Sequence, residues 1–473
     1  MKNSSPIQSK SLRRAFLTFV LAISSAAAFL VFPALASAQP SYLGFQVHAL
    51  WYERSSAEMD RELNMIQDLG GNTVRVDVGW SSLETDAKGS RTGWYLEKLD
   101  RFVAGASQRG IKVIATLVTT PCWASSAPES LKQGCKGEWW NRGVQNYPPN
   151  NPQDFADAAR FITSRYGTKL AALEIWNEPN TERFLVAPNR ATAYAALVKA
   201  AYPAAKAGNA SVPVIVGALA SADRPFLDEL YARGIKGSFD GISVHPYNEW
   251  RDPYDRWQAQ WKQYTFLPGI EWIREGQLAA GDSSPLWITE FGWDTCTGGS
   301  WCVNEAQQAD YTVKGFQILN TLNYVAGATD YELRDESTDK SEFEGNWGLV
   351  HEDFSPKPIY EAVKAQLHGS APAPSVSLEI EVSNPGTVIA EGQGSSQRQR
   401  LEVQFKGCPK RTPAARLIMT SKTGSYHRKL GSVEMLKGCK VTVKPQSSSQ
   451  SVTKKVPGLA SMALSSAVAV PAA

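Results

Sequence analysis

Between residues 42 and 369 the chain alternates short apolar segments with amphipathic ones, and this alternation constrains the fold more than any other feature. The apolar segments with strand character are 44–50, 73–78, 113–119, 173–176, 214–217, 241–245, 286–290 and 328–333. Segments with the hydrophobic period of a helix lie between them, namely 56–69, 96–109, 152–166, 191–207 and 305–322. Strand and helix repeated eight times predict an α/β fold, a parallel (β/α)8 TIM barrel.

A doubly wound open sheet is the alternative arrangement of the same elements. Such sheets bind their ligand at one switch point, and many of them open the first helix with Gly-x-Gly-x-x-Gly. That motif is missing after the first strand here, and polar residues end several strands rather than one. Both observations favour the barrel.

A barrel places its active site at the carboxyl ends of its strands. The polar and aromatic residues at the predicted ends are His48, Arg75, Trp123, Asn177, Glu178, His245, Tyr247, Glu290, Trp293 and Tyr331. The long connections after strands 3 and 6 are rich in Trp and Tyr, so we expect them to form walls of a cleft.

Two of these residues, Glu178 and Glu290, suit the hydrolysis of a glycosidic bond. That reaction needs one protonated carboxyl group at the leaving oxygen and one carboxylate at the anomeric carbon. We assign Glu178 as acid/base and Glu290 as nucleophile, with Asn177 on the sugar 2-hydroxyl. Arg75 would favour the charged form of Glu290, and the charge of Glu290 would raise the pKa of Glu178. Adjacent side chains of a regular strand point to opposite faces, so Asn177 and Glu178 can reach one ligand only if the strand ends or bulges at these residues.

For the other strand-end residues, a structural role in the core is the alternative to a role in the site. His245 and Tyr247 would hydrogen-bond the substrate or Glu290, although a satisfied core histidine is the alternative, and the same choice applies to His48. Trp123, Trp293 and Trp347 are candidates for stacking on a sugar, or plain core residues. The sequence has no His-x-His, His-Glu-x-x-His or EF-hand loop, so we predict no metal and no cofactor. It also lacks a Gly-x-Ser-x-Gly elbow, which gives a serine hydrolase no support.

Several short motifs carry a resemblance to a known family. They are Trp-Asn-Glu-Pro-Asn at 176–180, Thr-Pro-Cys-Trp at 120–123, Val-His-Pro-Tyr at 244–247, Ile-Thr-Glu-Phe-Gly-Trp at 288–293, Tyr-Glu-Leu-Arg-Asp-Glu at 331–336 and Phe-Ser-Pro-Lys-Pro-Ile-Tyr at 354–360. Residues 42–369 resemble glycoside hydrolase clan A, and within it are most similar to family 39, with family 5 cellulase-like enzymes as close neighbours.

The resemblance implies a retaining β-glycosidase that cleaves a β-linked polysaccharide. We expect an endo-acting hydrolase of a bacterial exopolysaccharide or cell-wall glycan. An exo-acting β-xylosidase-like or cellulase-like enzyme is one alternative, and a sugar-binding barrel without activity is another. Many clan members carry Trp at the end of strand 8, where this chain has Tyr331.

Residues 1–38 are predicted to be an export signal. They contain four Lys and Arg and no acidic residue, followed by an apolar run and Ala-Ser-Ala at 36–38. An uncleaved membrane anchor is the alternative. Arg13 and Arg14 leave both the general and the twin-arginine export routes open. We expect a mature chain that is periplasmic or extracellular and has no membrane span.

A Pro- and Ala-containing linker near residues 368–375 divides the mature chain into two domains. The first, 39–369, has 31 Lys and Arg against 41 Asp and Glu, and contains all 15 Trp. Residues 370–473 have 14 against 5. Alternating strands at 375–383, 401–405, 416–420 and 441–443 predict a small antiparallel β-sandwich over 370–445, followed by a disordered tail, 446–473.

The basic distal domain suits electrostatic association with an anionic glycan or the cell envelope, although a solvated basic surface is the alternative. An exported chain without a recognition motif is not expected to bind nucleic acid. We expect a monomer. The six cysteines fall into three sequence-local pairs, which favours disulfides, but the connectivity cannot be read from the sequence. The pairs are Cys122 with Cys135, Cys296 with Cys302 and Cys408 with Cys439.

Overall fold

A computed structural model describes residues 40–256 and 259–369, together with seven strands between residues 379 and 455. The predicted export signal lies outside the described residues, as do Cys408 and Cys439. Within residues 40–369, apart from the gap at 257–258, no helix combines the length and the apolar character needed to cross a bilayer.

Eight parallel strands close into a barrel in chain order, which confirms the predicted (β/α)8 fold. The strands are β1 (Tyr42–Val47), β2 (Thr73–Gly79), β3 (Lys112–Val118), β4 (Leu170–Ile175), β5 (Val214–Ala220), β6 (Gly241–His245), β7 (Leu286–Ile288) and β8 (Val325–Asp330). Each predicted strand is present, with its ends moved by a few residues. β1 pairs with both β2 and β8, so the barrel has no free edge.

Helices surround the barrel and connect its strands. They are α1 (Ser56–Asp68), α2 (Trp80–Leu83), α3 (Gly93–Gln108), α4 (Glu129–Lys132), α5 (Pro152–Tyr166), α6 (Arg190–Gly208), α7 (Arg224–Ala232), α8 (Leu267–Ala279), α9 (Glu305–Leu319) and α10 (Pro358–Leu367). Their starts are set by local sequence. Ser55 and Glu58 form a reciprocal capping box at α1, and Asn151 caps α5 just before Pro152.

The interior of the barrel is apolar towards one end. Ile114, Ala172, Ile215 and Trp287 form a cluster that is separate from the large core between the strands and the helices. Ile114 is the register partner of Arg75, so the two side chains leave the sheet on the same side. The polar side chains of the candidate site therefore lie inside the barrel, next to this apolar cluster.

The strands beyond residue 378 form two antiparallel sheets, as predicted for the distal domain. One sheet has the order β13 (Ser425–Ser432), β10 (Thr387–Gln393), β9 (Glu379–Ser383), and the other β12 (Arg416–Met419), β11 (Arg400–Lys406), β14 (Lys440–Pro445), β15 (Val452–Lys455). β15 lies within the tail predicted to be disordered, and for these four residues that prediction is wrong. The backbone of β14 supplies them with pairing partners, which composition alone does not reveal.

Two disulfides close loops at the carboxyl ends of strands. Cys122 pairs with Cys135 after β3, and Cys296 pairs with Cys302 after β7. The prediction of sequence-local pairing is confirmed for both.

Candidate active site

The end of β4 presents an amide and a carboxyl group side by side. β4 stops at Ile175, and the next residues leave regular strand geometry, since Trp176 has φ 68° and Glu178 has φ 43°. The Glu178 N–H donates to the carbonyl of Ala218 at 3.0 Å. These turns allow Asn177 and Glu178 to serve one site, which confirms the expected interruption of the strand.

Arg75 on β2 is fully buried and joins four strands through its guanidinium group. Its Nη1 donates to Glu290 Oε1 at 2.6 Å and to Gln46 Oε1 at 2.9 Å. Its Nε donates to Glu174 Oε2 at 2.8 Å, and its Nη2 donates to Asn177 Oδ1 at 2.9 Å. The planar fork of arginine therefore fixes Glu290 and Asn177 relative to each other.

Glu178 and Glu290 face each other across His245. One carboxylate oxygen of each glutamate lies within 4.8 Å of the other. His245 Nδ1 is 3.1 Å from Glu178 Oε1 and 3.4 Å from Glu290 Oε2, and its Nε2 is 3.1 Å from Thr289 Oγ1. The Tyr247 hydroxyl donates to Glu290 Oε2 at 2.8 Å. Glu290 thus accepts hydrogen bonds from Tyr247 and Arg75, whereas within residues 40–256 and 259–369 the Glu178 side chain has only an imidazole nitrogen as a hydrogen-bond partner.

Burial raises the pKa of Glu178 to about 7, and the charge of Glu344 adds to this effect while Arg183 opposes it. The raised pKa that we predicted is confirmed, but its largest cause is burial rather than the charge of Glu290. The carboxyl group of Glu178 lies where water is largely excluded, so removal from water outweighs the effect of any neighbouring charge. A carboxyl group with this pKa keeps much of its proton near neutral pH.

Burial also raises the pKa of Glu290, while the charges of His245 and Arg75 lower it. The direction expected for Arg75 is therefore confirmed, although burial outweighs it. The two hydrogen bonds from Arg75 and Tyr247 stabilise the carboxylate form. Of the two glutamates, Glu290 is the one that its neighbours support as an anion.

Three aromatic rings lie beside this pair. Tyr247 and Tyr331 are 6.4 Å apart between ring centroids, and Trp347 packs edge-on to both at 5.2 and 5.9 Å. The Trp347 indole nitrogen is buried and has no hydrogen-bond partner in the part of the chain that the structure describes. Tyr331 is thus accompanied by a tryptophan from the same connection between β8 and α10.

The two other tryptophans are placed differently. Trp293 is 1% exposed, packs against Phe266, Phe291 and Tyr311, and donates its indole N–H to the Arg251 carbonyl. A sugar cannot reach its face, so the prediction that it stacks on substrate is wrong.

Trp123 packs edge-on against Trp80 and donates its indole N–H to the Glu84 carbonyl at 2.7 Å. It is not among the residues that line the cleft. Its role in binding stays a prediction.

His48 belongs to a second cluster of titratable groups near the site. Its Nε2 is 3.2 Å from Glu332 Oε2, 3.5 Å from Glu336 Oε1 and 3.4 Å from the Tyr331 hydroxyl, and its ring stacks on Trp51. Burial raises the pKa of Glu332 well above its usual value, and burial together with Glu332 raises that of Glu336 to about 8.

Within residues 40–256 and 259–369, two groups bring three potential metal-ligand atoms within 4.8 Å of one another. One is His48, Glu332 and Glu336, and the other is Glu178, His245 and Glu290. A carboxyl group that carries a proton is a poor ligand for a cation. The raised pKa values of Glu332, Glu336 and Glu178 therefore give neither group a specific reason to hold a metal ion near neutral pH, and the absence of a metal stays a prediction.

A cavity of about 1000 Å³ opens beside Asn177 at the same mouth of the barrel. Aromatic residues from several loops line it, namely Trp51, Tyr52, Trp94, Tyr95, Trp139, Trp140 and Phe184. Trp139 and Trp140 follow β3, as expected for one wall. Among the residues that the structure describes, none from the loop after β6 lines this cavity.

Sequence reasoning missed several residues of the site. Glu174 is a charged residue within the apolar strand β4, and a buried charge requires a partner, so the strand itself carried the signal. Arg183 and Glu344 lie in loops, where nothing in the local pattern connects them to Glu178. Gln46 and Thr289 also join the network, but their residue types give no such indication.

Comparisons with known proteins agree with this geometry. The family model described as Cellulase (glycosyl hydrolase family 5) matches residues 35–328. No curated protein matches the chain. Among solved structures, a family 39 glycoside hydrolase from Bacteroides cellulosilyticus WH2 is 18% identical with a TM-score of 0.57, over 84% of this chain and 82% of that one.

Two further structures have the same fold. A family 39 β-xylosidase from Caulobacter crescentus is 18% identical, with a TM-score of 0.52 over 78% of this chain and 83% of that one. The family 39 enzyme from Xanthomonas axonopodis pv. citri is 15% identical, with a TM-score of 0.52 over 84% and 93%. The resemblance to clan A is thereby confirmed. This chain is a retaining glycoside hydrolase of clan A and belongs to the cellulase family, glycosyl hydrolase family 5.

Proposed function

We propose that this protein is an exported, endo-acting β-glycoside hydrolase in which Glu178 is the acid/base and Glu290 the nucleophile. One observation carries the assignment of roles. Carboxylate oxygens of the two residues lie within 4.8 Å of each other, and only Glu290 accepts hydrogen bonds from Arg75 and Tyr247. A separation near 5 Å suits direct attack by a carboxylate and leaves no room for an intervening water.

The first step forms a covalent intermediate. A Glu290 oxygen attacks the anomeric carbon while Glu178 donates its proton to the glycosidic oxygen, so the bond to the leaving sugar breaks as the bond to Glu290 forms. Arg75 and Tyr247 hold Glu290 in place. Asn177 is fixed by Arg75 next to Glu178, where its amide can meet the sugar 2-hydroxyl.

The second step releases the sugar. Glu178, now a carboxylate, takes a proton from water as the water oxygen attacks the anomeric carbon, and Glu290 departs as a carboxylate. Both steps invert the anomeric centre, so the product keeps the β configuration. Because the first step needs protonated Glu178, we expect kcat/KM to fall as pH rises above about 7, the pKa of Glu178.

Endo action and a polysaccharide substrate are supported by the cavity beside Asn177. Its volume of about 1000 Å³ and its many aromatic side chains suit several consecutive sugar rings rather than a single one. A β-linked bacterial exopolysaccharide or cell-wall glycan is the substrate class that we favour. Export is supported by the composition of residues 1–38.

The test compares the wild type with Glu178→Gln and Glu290→Gln on plant, fungal and bacterial β-glycans. We expect both variants to lose most of the activity and the wild type to release oligosaccharides of mixed length from the start. Glu275→Gln, which changes an exposed side chain on α8, is the control, with activity expected to equal the wild type. Equal product release by all four proteins would refute the catalytic assignment, and monosaccharide as the only early product would refute endo action.

Rescue with azide separates the two roles. In Glu178→Ala, azide can attack the glycosyl enzyme and give a β-glycosyl azide, whereas in Glu290→Ala it replaces the nucleophile and gives the α anomer. The opposite pattern would mean that the roles are exchanged. Amino-terminal sequencing of the secreted protein tests export, with Gln39 expected as the first residue.

A further inference from the structure

An ion pair connects the loop after β4 with the loop after β8, at the mouth of the barrel that holds the catalytic carboxyl groups. Arg183 Nη1 donates to Glu344 Oε1 at 2.8 Å, although the residues are 161 positions apart in the chain. Their side chains are 63% and 38% exposed. Arg183 also lines the cavity beside Asn177, so the pair lies at the edge of the cleft.

Both partners are held by contacts outside the pair. The Arg183 carbonyl accepts a hydrogen bond from Asn146 Nδ2 at 3.0 Å. The Glu344 N–H donates to Asp294 Oδ2 at 3.3 Å, and Glu344 has φ 79°, a conformation that L-residues rarely adopt. Such a backbone persists only where neighbouring groups impose it. The two charges are therefore at defined positions.

Charged and titratable groups face Glu178 from several loops and strands. They are His245, Tyr247, Glu290, Arg75, Asp77, Arg183 and Glu344. After burial, the charge of Glu344 contributes most to raising the pKa of Glu178, and the charge of Arg183 contributes most to lowering it. Burial lowers the pKa of Arg183 in turn, but its bond to Glu344 and the charges of Glu344 and Glu178 raise it by more.

We propose that Arg183 and Glu344 are positioning residues for the proton of Glu178. The ion pair holds an anion and a cation at fixed places at the same mouth of the barrel as this carboxyl group, and their balance sets the pH at which the proton is released. The inference rests on the proposed role of Glu178 as acid/base. Removing the charge of Glu344 and removing the charge of Arg183 should therefore shift the pKa of Glu178 in opposite directions, and removing both should shift it little. A purely structural role does not predict this pattern.

The experiment measures the titration of Glu178 in the full chain. The protein is labelled with ¹³C at the glutamate carboxyl carbons, and the Glu178 signal is identified by its loss in Glu178→Gln. We expect Glu344→Gln to lower the midpoint and Arg183→Gln to raise it, each by about 0.3 pH unit, as a unit charge about 10 Å away in a water-like dielectric would do. The double variant should return close to the wild type.

Salt and a second ion pair provide the controls. Both shifts should shrink in 1 M NaCl, where the screening length is about 3 Å. Arg101→Gln and Asp60→Asn remove a similarly exposed pair, also at 2.8 Å, from the helices α3 and α1 and should leave the midpoint unchanged. Tryptophan fluorescence confirms that each variant is folded.

Shifts of the same sign in Glu344→Gln and Arg183→Gln, or shifts below about 0.1 pH unit at low salt, would overturn the proposal. Where the wild type cleaves a glycan from the panel, the alkaline limb of kcat/KM should move in the same directions. The titration needs no turnover, so a failure of the ion-pair proposal can be told apart from a failure of the hydrolase assignment.

Discussion

Replacing Arg75 by Met tests the network that holds the candidate site together. Arg75 is fully buried, and Glu174, its partner on β4, is buried as completely. The change removes four hydrogen bonds of 2.6–2.9 Å and leaves Glu174 with Thr116 as a remaining donor to its Oε2. Breaking a buried ion pair from one side costs about 3–5 kcal/mol, because the other charge stays buried without compensation.

The unfolding free energy that Arg75→Met loses should depend on pH in a defined direction. In the wild type, burial raises the pKa of Glu174, but the charge of Arg75 and other partners bring it below the usual glutamate value of 4.5. This carboxylate therefore stabilises the fold above pH 4.5, and the contribution is lost as pH falls through its folded pKa. Without Arg75, burial prevails and raises the pKa of Glu174, so the variant loses stability as pH rises. The difference in unfolding free energy should be smallest near pH 4 and largest near pH 7.

Urea unfolding followed by tryptophan fluorescence measures this difference, since all 15 Trp lie before residue 370 and report on the barrel. The double variant Arg75→Met, Glu174→Gln is the matched control, and it should recover at least about half of the loss because Glu174 no longer carries a buried charge, while Glu290 keeps its bond from Tyr247. A loss under about 1 kcal/mol for Arg75→Met, or one that does not change between pH 4 and pH 7, would refute the reasoning.

Three further changes test the site and the fold. Tyr247→Phe removes the 2.8 Å bond to Glu290, so kcat/KM should fall about 10- to 100-fold in initial-rate assays, and an unchanged rate would exclude a role for the hydroxyl. Gly44→Ala would place a Cβ 1.7 Å from the Thr73 carbonyl oxygen, so soluble yield and the urea midpoint should both drop, unlike a tolerated surface change. Cys122→Ser opens a loop closed over 13 residues, so the free energy of unfolding should fall by up to about 3 kcal/mol. With a reductant present, the wild type and the variant should be equally stable.

The barrel and its two glutamates were accessible from the sequence because their signals are local. Alternation of apolar strands and amphipathic helices reflects which side chains each element must bury, and residues at strand ends follow from the element boundaries. Asn177 and Glu178 lie where the apolar strand β4 stops. A parallel barrel gathers such ends at one mouth, whatever the distance along the chain.

The prediction that Trp293 stacks on a sugar failed because a position at a strand end does not fix the direction of the side chain. An aromatic residue at a strand end can point into the cleft or into the layer between strands and helices. Trp293 packs on Phe266, Phe291 and Tyr311, and their positions depend on how α8 and α9 lie against the barrel. Sequence position alone does not distinguish the two directions.

The sequence by itself determined the elements, their order and the pair of carboxyl groups at the ends of β4 and β7. Only the tertiary structure decided which groups act on that pair. Arg75 meets Glu290 across 215 positions, and Arg183 meets Glu344 across 161. Contacts over such separations are set by closure of the barrel and by loop packing. The pKa of Glu178 therefore depends on burial and on charges that no local pattern identifies.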